Sequence, residues 1–170
     1  CEQVGLKSLV TKQCVSLLRY SDLVPVDVAF YHAGERCREE SKSEMALVFF
    51  NRFVDVTEML EDEDGDIDET EFLMTDIPSS HKNLPKKSHF DEDAIEEIRE
   101  WALTAGMSNN VQCQLPLRKC TNCGKKTYLA GVTCHNCKHA VPECIVTGWP
   151  VIGASNAVSC PKCHGRALKD

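Results

Sequence analysis

Residues 120–137 read CTNCGKKTYLAGVTCHNC, two Cys-x-x-Cys pairs ten residues apart, and this stretch decides the fold of the last third of the chain. Each pair has the outline of a tight turn that aims two thiolates at one point. Gly124, just past the first pair, permits the backbone such a turn needs. Two turns joined by a short hairpin make a tetrahedral cage of four sulfurs, Cys120, Cys123, Cys134 and Cys137, a donor set suited to one zinc ion. An imperfect copy follows. Cys144-Ile145-Val146-Thr147 carries threonine in the place of its second cysteine, and Cys160-Pro161-Lys162-Cys163 comes twelve residues later. Three thiolates with His139 or His164 would hold a second zinc; a hydrogen-bonded fold with the cysteines simply buried is the alternative. Spacing does not fix which pairs meet, so sequential and cross-braced pairing both stay open.

A catalytic zinc keeps an open coordination position and has a general base nearby. Four sulfurs close their cage, the acids from residue 113 onward are Glu143 and Asp170, and no His-x-Glu element precedes the first pair. The expected metal is therefore structural. Disulfides are the competing reading of eleven cysteines. Repeated Cys-x-x-Cys without a secretory signal favours metal thiolates on the reducing, cytoplasmic side. Cys1, Cys14, Cys37 and Cys113 stand apart and read as small buried hydrophobes.

Working back from the cage, the charge changes sign. Residues 1–112 carry a balance of −13 and residues 113–170 a balance of +6. Two modules with different partners are expected within the 170 residues. The chain opens on CEQVGLKSLVTKQCVSLLRY, where Lys7, Lys12 and Arg19 interrupt every apolar stretch, so neither a signal peptide nor a membrane span is expected. It reads as the inside of an amphipathic helix, with the chain continuing a longer protein. Val4, Leu6, Leu9, Val10, Cys14, Leu17 and Leu18 are its expected apolar face.

Residues 1–60 are expected to form antiparallel helical hairpins of the tetratricopeptide type. Ala29, Phe30, Ala33 and Cys37 make one stripe; Ala46, Phe49, Phe50, Phe53, Val56 and Leu60 make the other. Small residues at Ala33, Gly34 and Ala46 allow close approach, and Ser41 with Glu44 has a capping-box pattern. Residues 61–90 read as an acidic loop and linker. LEDEDGDIDETE, residues 60–71, has calcium-loop spacing at Asp62, Asp64, Asp68 and Glu71, but Leu60 offers no oxygen at the first ligand position, so a solvated tether is expected. Residues 91–107 read as a helix begun by Ser88 or Asp91, with Ile95, Ile98, Ala102 and Ala105 inward and Trp101 beside them. Residues 115–170 are the cysteine-rich domain.

The order AFYHAGERCRE, FFNRFVDVTEMLED, TDIP, REWALTAGM and CIVTGWPV resembles the carboxy-terminal end of the large WD40–TPR subunits of intraflagellar transport complex B. The resemblance implies a mainly α fold, tetratricopeptide-like hairpins followed by a small zinc-ribbon or U-box-like, RING-like domain. It implies a scaffold in the cilium or flagellum and at the basal body, needed for cilium assembly and for train turnaround at the ciliary tip. Other transport subunits are the implied partners. In such relatives the chain runs on past the position of Lys169–Asp170 into a further helix, so the domain is expected to stop short here. The RING-like reading implies ubiquitin or a ubiquitin-conjugating enzyme as a partner, met by Ile145, Val146, Trp149 and Pro150 on one loop and Pro161 on a second. An active ubiquitin ligase module without a nucleophile of its own is the first alternative function. A nucleic-acid-binding ribbon is the second; it has Tyr128 and Trp149 as its aromatics for base stacking, in a chain that is otherwise acidic, so nucleic acid is not expected as a partner.

Overall fold

The computed structural model describes residues 6–61, 67–79, 84–108, 111–153, 155 and 157–169. Val4, Asp62, Asp64 and the Gly65 turn of the calcium-type spacing lie outside these residues. Four helices come first: α1 (Lys7–Leu17), α2 (Val26–Glu39), α3 (Ser43–Glu61) and α4 (Glu92–Gly106). Two two-stranded antiparallel hairpins follow: β1 (Leu117–Lys119) with β2 (Lys126–Tyr128), and β3 (Ala157–Ser159) with β4 (Arg166–Leu168). Among the described residues no helix is long and apolar enough to cross a membrane.

The hairpin of α2 and α3 is the centre of the core. Phe30, Ala33, Cys37, Ala46, Phe49, Phe50, Phe53 and Val56 are all fully buried, as their helical spacing predicts. Gly34 is required by packing. A Cβ there would sit 2.5 Å from the ring of Phe50, so any side chain would push the two helices apart. Trp101 of α4 meets Phe50 edge-on at 5.1 Å, and Asp91 caps α4 by accepting a hydrogen bond from the Ala94 amide at 2.9 Å.

Three expectations change. Ser41 does not start α3; it ends α2 in the left-handed conformation (φ 58°), with its amide on the Arg38 carbonyl and the Lys42 amide on the Cys37 carbonyl. This is a Schellman closure, and a link of so few residues leaves Ser41 no room to cap the next helix as well. On α1 the buried positions are Thr11, Val15 and Ser16, with Leu18 buried just after it, while Leu17 and the preceding Leu6 are exposed. The helix is held on two sides, by α2 and by the cysteine-rich ribbon, so its burial does not follow one apolar stripe. The acidic stretch is docked from Ile67 onward. Ile67 is buried, and the buried guanidinium of Arg52 donates to the Asp68 carbonyl at 2.6 Å and to the Glu69 carboxylate at 3.0 Å, stacking over Phe72.

Candidate metal centre

Four turns in the ribbon share one backbone. In each, the first residue donates its amide to the carbonyl five residues on: Cys120 to Lys125, Cys134 to His139, Cys144 to Trp149 and Cys160 to Gly165, at 2.8–2.9 Å. The residue four places on donates back to the first carbonyl and takes a left-handed φ: 71° at Gly124, 57° at Lys138, 69° at Gly148 and 57° at His164. The turn fixes amides that point inward at the sulfur positions.

The first two turns meet. Cys120, Cys123, Cys134 and Cys137 bring their sulfurs within 4.8 Å of one another, with Cys120 to Cys137 at 3.7 Å and Cys123 to Cys134 at 3.9 Å. A zinc ion with bonds of about 2.3 Å to four thiolates requires sulfur–sulfur edges of about 3.8 Å. The cage can therefore hold a metal ion, and its dimensions fit a tetrahedral thiolate centre. Adjacent pairs supply it, so the pairing is sequential and not cross-braced. Asn122 and Asn136 occupy the same place in their turns, and each side-chain amide donates to a sulfur of the opposite turn, Cys137 and Cys123 respectively, at 3.6 Å. The repeated Cys-x-Asn-Cys was the sequence signal for this pair. Amide donors, the Cys137 amide foremost, hold the Cys134 thiol down at about 6, and the His139 amide lowers Cys137. Thiolates are the metal-binding form, so the turn of Cys134 and Cys137 is prepared for a cation, whereas Cys123 in the facing turn is raised.

The other two turns also face each other, with the order of parts reversed: a lone turn, then a turn on a hairpin. The Ile145 amide donates to the Arg166 carbonyl at 2.9 Å, and a Cβ on Gly165 would lie 2.7 Å from the Ile145 side chain. Among the described residues no second metal-type group forms, so Cys144, Cys160 and Cys163 are not gathered with a histidine. His139 and His164 serve through their backbones, as a carbonyl acceptor and a left-handed turn residue, and both side chains are exposed. Cys144 is buried and accepts from the Leu168 amide at 3.4 Å. Burial raises its thiol, but the Thr147 hydroxyl and the Leu168, Val146 and Thr147 amides outweigh that and leave it lowered.

The ribbon is sealed to the helices by residues read as linker or helix surface. Arg19, just after α1, donates to the Ala130 carbonyl at 3.2 Å and to the Gly148 carbonyl at 2.6 Å, and pairs with Glu143. Asp76, in the TDIP segment, accepts from the amides of Val132 at 2.7 Å and Thr133 at 3.0 Å. Tyr128 is buried in the helical core, where burial first, with Cys37 and Asp76 adding, raises its hydroxyl well above the usual range. It has no face left for a base to stack on. Of the expected partner surface, Ile145 is 57% and Val146 48% exposed, Pro161 is exposed, Trp149 is half-buried against the core and Pro150 is buried.

Helices locked onto a four-thiol cage that can hold a metal ion define the class: a helical segment that ends in a cysteine-cage ribbon. No family model matches the chain. It is 35% identical to intraflagellar transport protein 172 of Chlamydomonas reinhardtii over 154 residues, 88% of this chain and 9% of that protein. It is 34% identical to the Homo sapiens homolog of intraflagellar transport protein 172 over 148 residues, 86% of this chain and 8% of that protein. Intraflagellar transport protein osm-1 of Caenorhabditis elegans is 28% identical over 159 residues. The chain is thus homologous to a segment of intraflagellar transport protein 172, which fits the carboxy-terminal resemblance, and it spans under a tenth of the length of these relatives.

Proposed function

We propose that this chain is the part of a large intraflagellar transport subunit where a helical array of tetratricopeptide type ends in a zinc-stapled, U-box-like docking module. The subunit would work at the basal body and along the cilium, in train assembly and in turnaround at the ciliary tip, with other transport subunits as partners. The homology over 88% of the chain supports the transport role. The observation that carries the docking role is the CIVTG turn. Ile145 and Val146 stand exposed on a backbone held by the Cys144–Trp149, Gly148–Cys144 and Ile145–Arg166 hydrogen bonds. Zinc at the first cage gives the ribbon a stability its small core does not supply, so apolar side chains can face water without collapse.

Ubiquitin or a ubiquitin-conjugating enzyme is the partner chemistry this surface would take. Ile145 beside the Cys160–Cys163 turn is the feature that favours it, as an apolar contact on a rigid loop. The test is Ile145→Ala in the whole chain, read by zinc content, melting temperature and titration with ubiquitin and with a conjugating enzyme. Unchanged zinc and melting temperature with weaker binding supports the reading. A lower melting temperature with binding intact makes Ile145 a packing residue and removes this surface. Discharge of a loaded conjugating enzyme in the same assay would assign ligase activity.

A further inference from the structure

Away from the ribbon, α3 and the end of α4, which pack together at Phe50 and Trp101, line an open groove of about 600 Å³. Its two walls differ. The α4 wall presents Leu103 and Met107, 63% and 84% exposed, and Leu47, Val54 and Ala102 continue the apolar surface inward. The opposite wall is acidic, with Asp55 from α3 and Asp68 and Glu71 from the docked end of the acidic stretch. Arg99, the cation among the lining residues, is already committed to Glu96 at 2.6 Å and Glu58 at 3.3 Å. The Arg52 guanidinium reaches Asp55 at 3.8 Å but makes its short bonds to Asp68 and Glu69. Glu71 accepts only a thiol contact from Cys113, at 3.7 Å, among the interactions described for it.

The groove therefore joins exposed large side chains to carboxylates held close together. Burial first, then the charges of Glu58, Glu71 and Asp68 against the pull of Arg52, raise the Asp55 carboxyl. Such a site gains most from a ligand that brings positive charge and an apolar group together, because it covers Leu103 and Met107 and relieves the repulsion at once.

We propose that this groove docks a segment of another polypeptide in which arginine or lysine alternates with large apolar residues, the cations meeting Asp55 and Glu71 and the apolar side chains covering Leu103 and Met107. The ribbon surface at Ile145 takes no part, so this site stands or falls separately from the docking role proposed above.

The test uses the whole zinc-loaded chain and a short synthetic peptide alternating leucine with arginine, with leucine–glutamate as its counterpart. The arginine peptide is expected to shift the amide resonances of Leu103, Met107 and Val111, to bind more weakly as salt rises, and to bind about tenfold more weakly to Glu71→Gln with Asp55→Asn. Leu103→Ser should weaken binding at every salt concentration; Leu103 and Glu71 are exposed and Asp55 is half-buried, and the melting temperature checks that the fold is kept. Equal binding of both peptides, shifts mapping elsewhere, or affinity unchanged by the two carboxylate substitutions would overturn the proposal. So would mass measurements showing that the groove is covered by a second copy of this chain.

Discussion

In the turn that starts at Cys134, the fourth residue is Cys137, whose sulfur lies 3.7 Å from that of Cys120. In the turn that starts at Cys144, the fourth residue is Thr147, whose hydroxyl accepts from the Trp149 amide at 3.3 Å and donates to the Cys144 sulfur. The backbones are the same, down to the left-handed residue that closes each. What holds the paired turns together differs in kind. One pair converges on a site for a metal ion, worth on the order of 10 kcal/mol in small zinc domains. The other relies on hydrogen bonds worth about 1 kcal/mol each, net of water, and on contact with the helices. The lesson is that the turn is a geometry and not a metal signature; the chemistry of its fourth residue decides whether it depends on metal.

The largest expected effect separates the two pairs outright. Cys123→Ser should empty the first cage, reducing zinc from one per chain to none, and unfold the ribbon while the helices keep their circular dichroism. Cys160→Ser should leave zinc at one. Protease resistance of residues 115–169 in Cys123→Ser would end the claim that metal folds this part. Next, Thr147→Cys supplies the missing thiolate and is expected to raise zinc to two per chain by elemental analysis; a value still at one would mean that the second pair of turns cannot close on a metal.

Glycine substitutions sharpen the comparison at smaller scale. Gly124 and Gly148 both have positive φ, but a Cβ at Gly124 meets nothing within 4 Å, whereas at Gly148 it would lie 2.8 Å from the Cβ of Ser16. Gly124→Ala should cost about 1 kcal/mol, the left-handed penalty alone. Gly148→Ala should cost about 2–4 kcal/mol, since a clash with α1 is added. Chemical denaturation measures both, and equal costs would show that the ribbon does not press on α1. The smallest effect is His164→Gly. Its φ of 57° suits glycine, so the variant should gain about 1 kcal/mol and keep its zinc. Loss of zinc would restore the histidine to the metal.

The cage was legible because ligand identity is written in residue type: two Cys-x-x-Cys turns supply a four-thiolate donor set. The α2–α3 hairpin was legible because one face of each helix is buried against one partner. Where a residue works through another residue's backbone, the sequence carries little trace. Asp76 looks like part of a linker, since the Val132 and Thr133 amides that it binds have no side-chain signature. His139 and His164 look like ligands, but the turn uses their carbonyl and their φ. Pairing of the turns was illegible for a related reason: ten or twelve intervening residues reach a neighbour or a more distant turn equally well. The face of α1 is not legible as one apolar stripe because two different surfaces bury it.

The seal made by Arg19 has a mechanical consequence. Its guanidinium holds one carbonyl just ahead of the second turn and one at the end of the third, so a single side chain bridges both halves of the ribbon to the end of α1. Tension between the helices and the ribbon would then not run along the connecting chain after α4. It would be borne by Arg19 and Asp76 acting side by side, each gripping backbone on a different edge of the 130–133 loop. Bonds loaded in parallel share force and fail together, so under pulling the ribbon should leave the helices in one abrupt step, with the metal cage still closed.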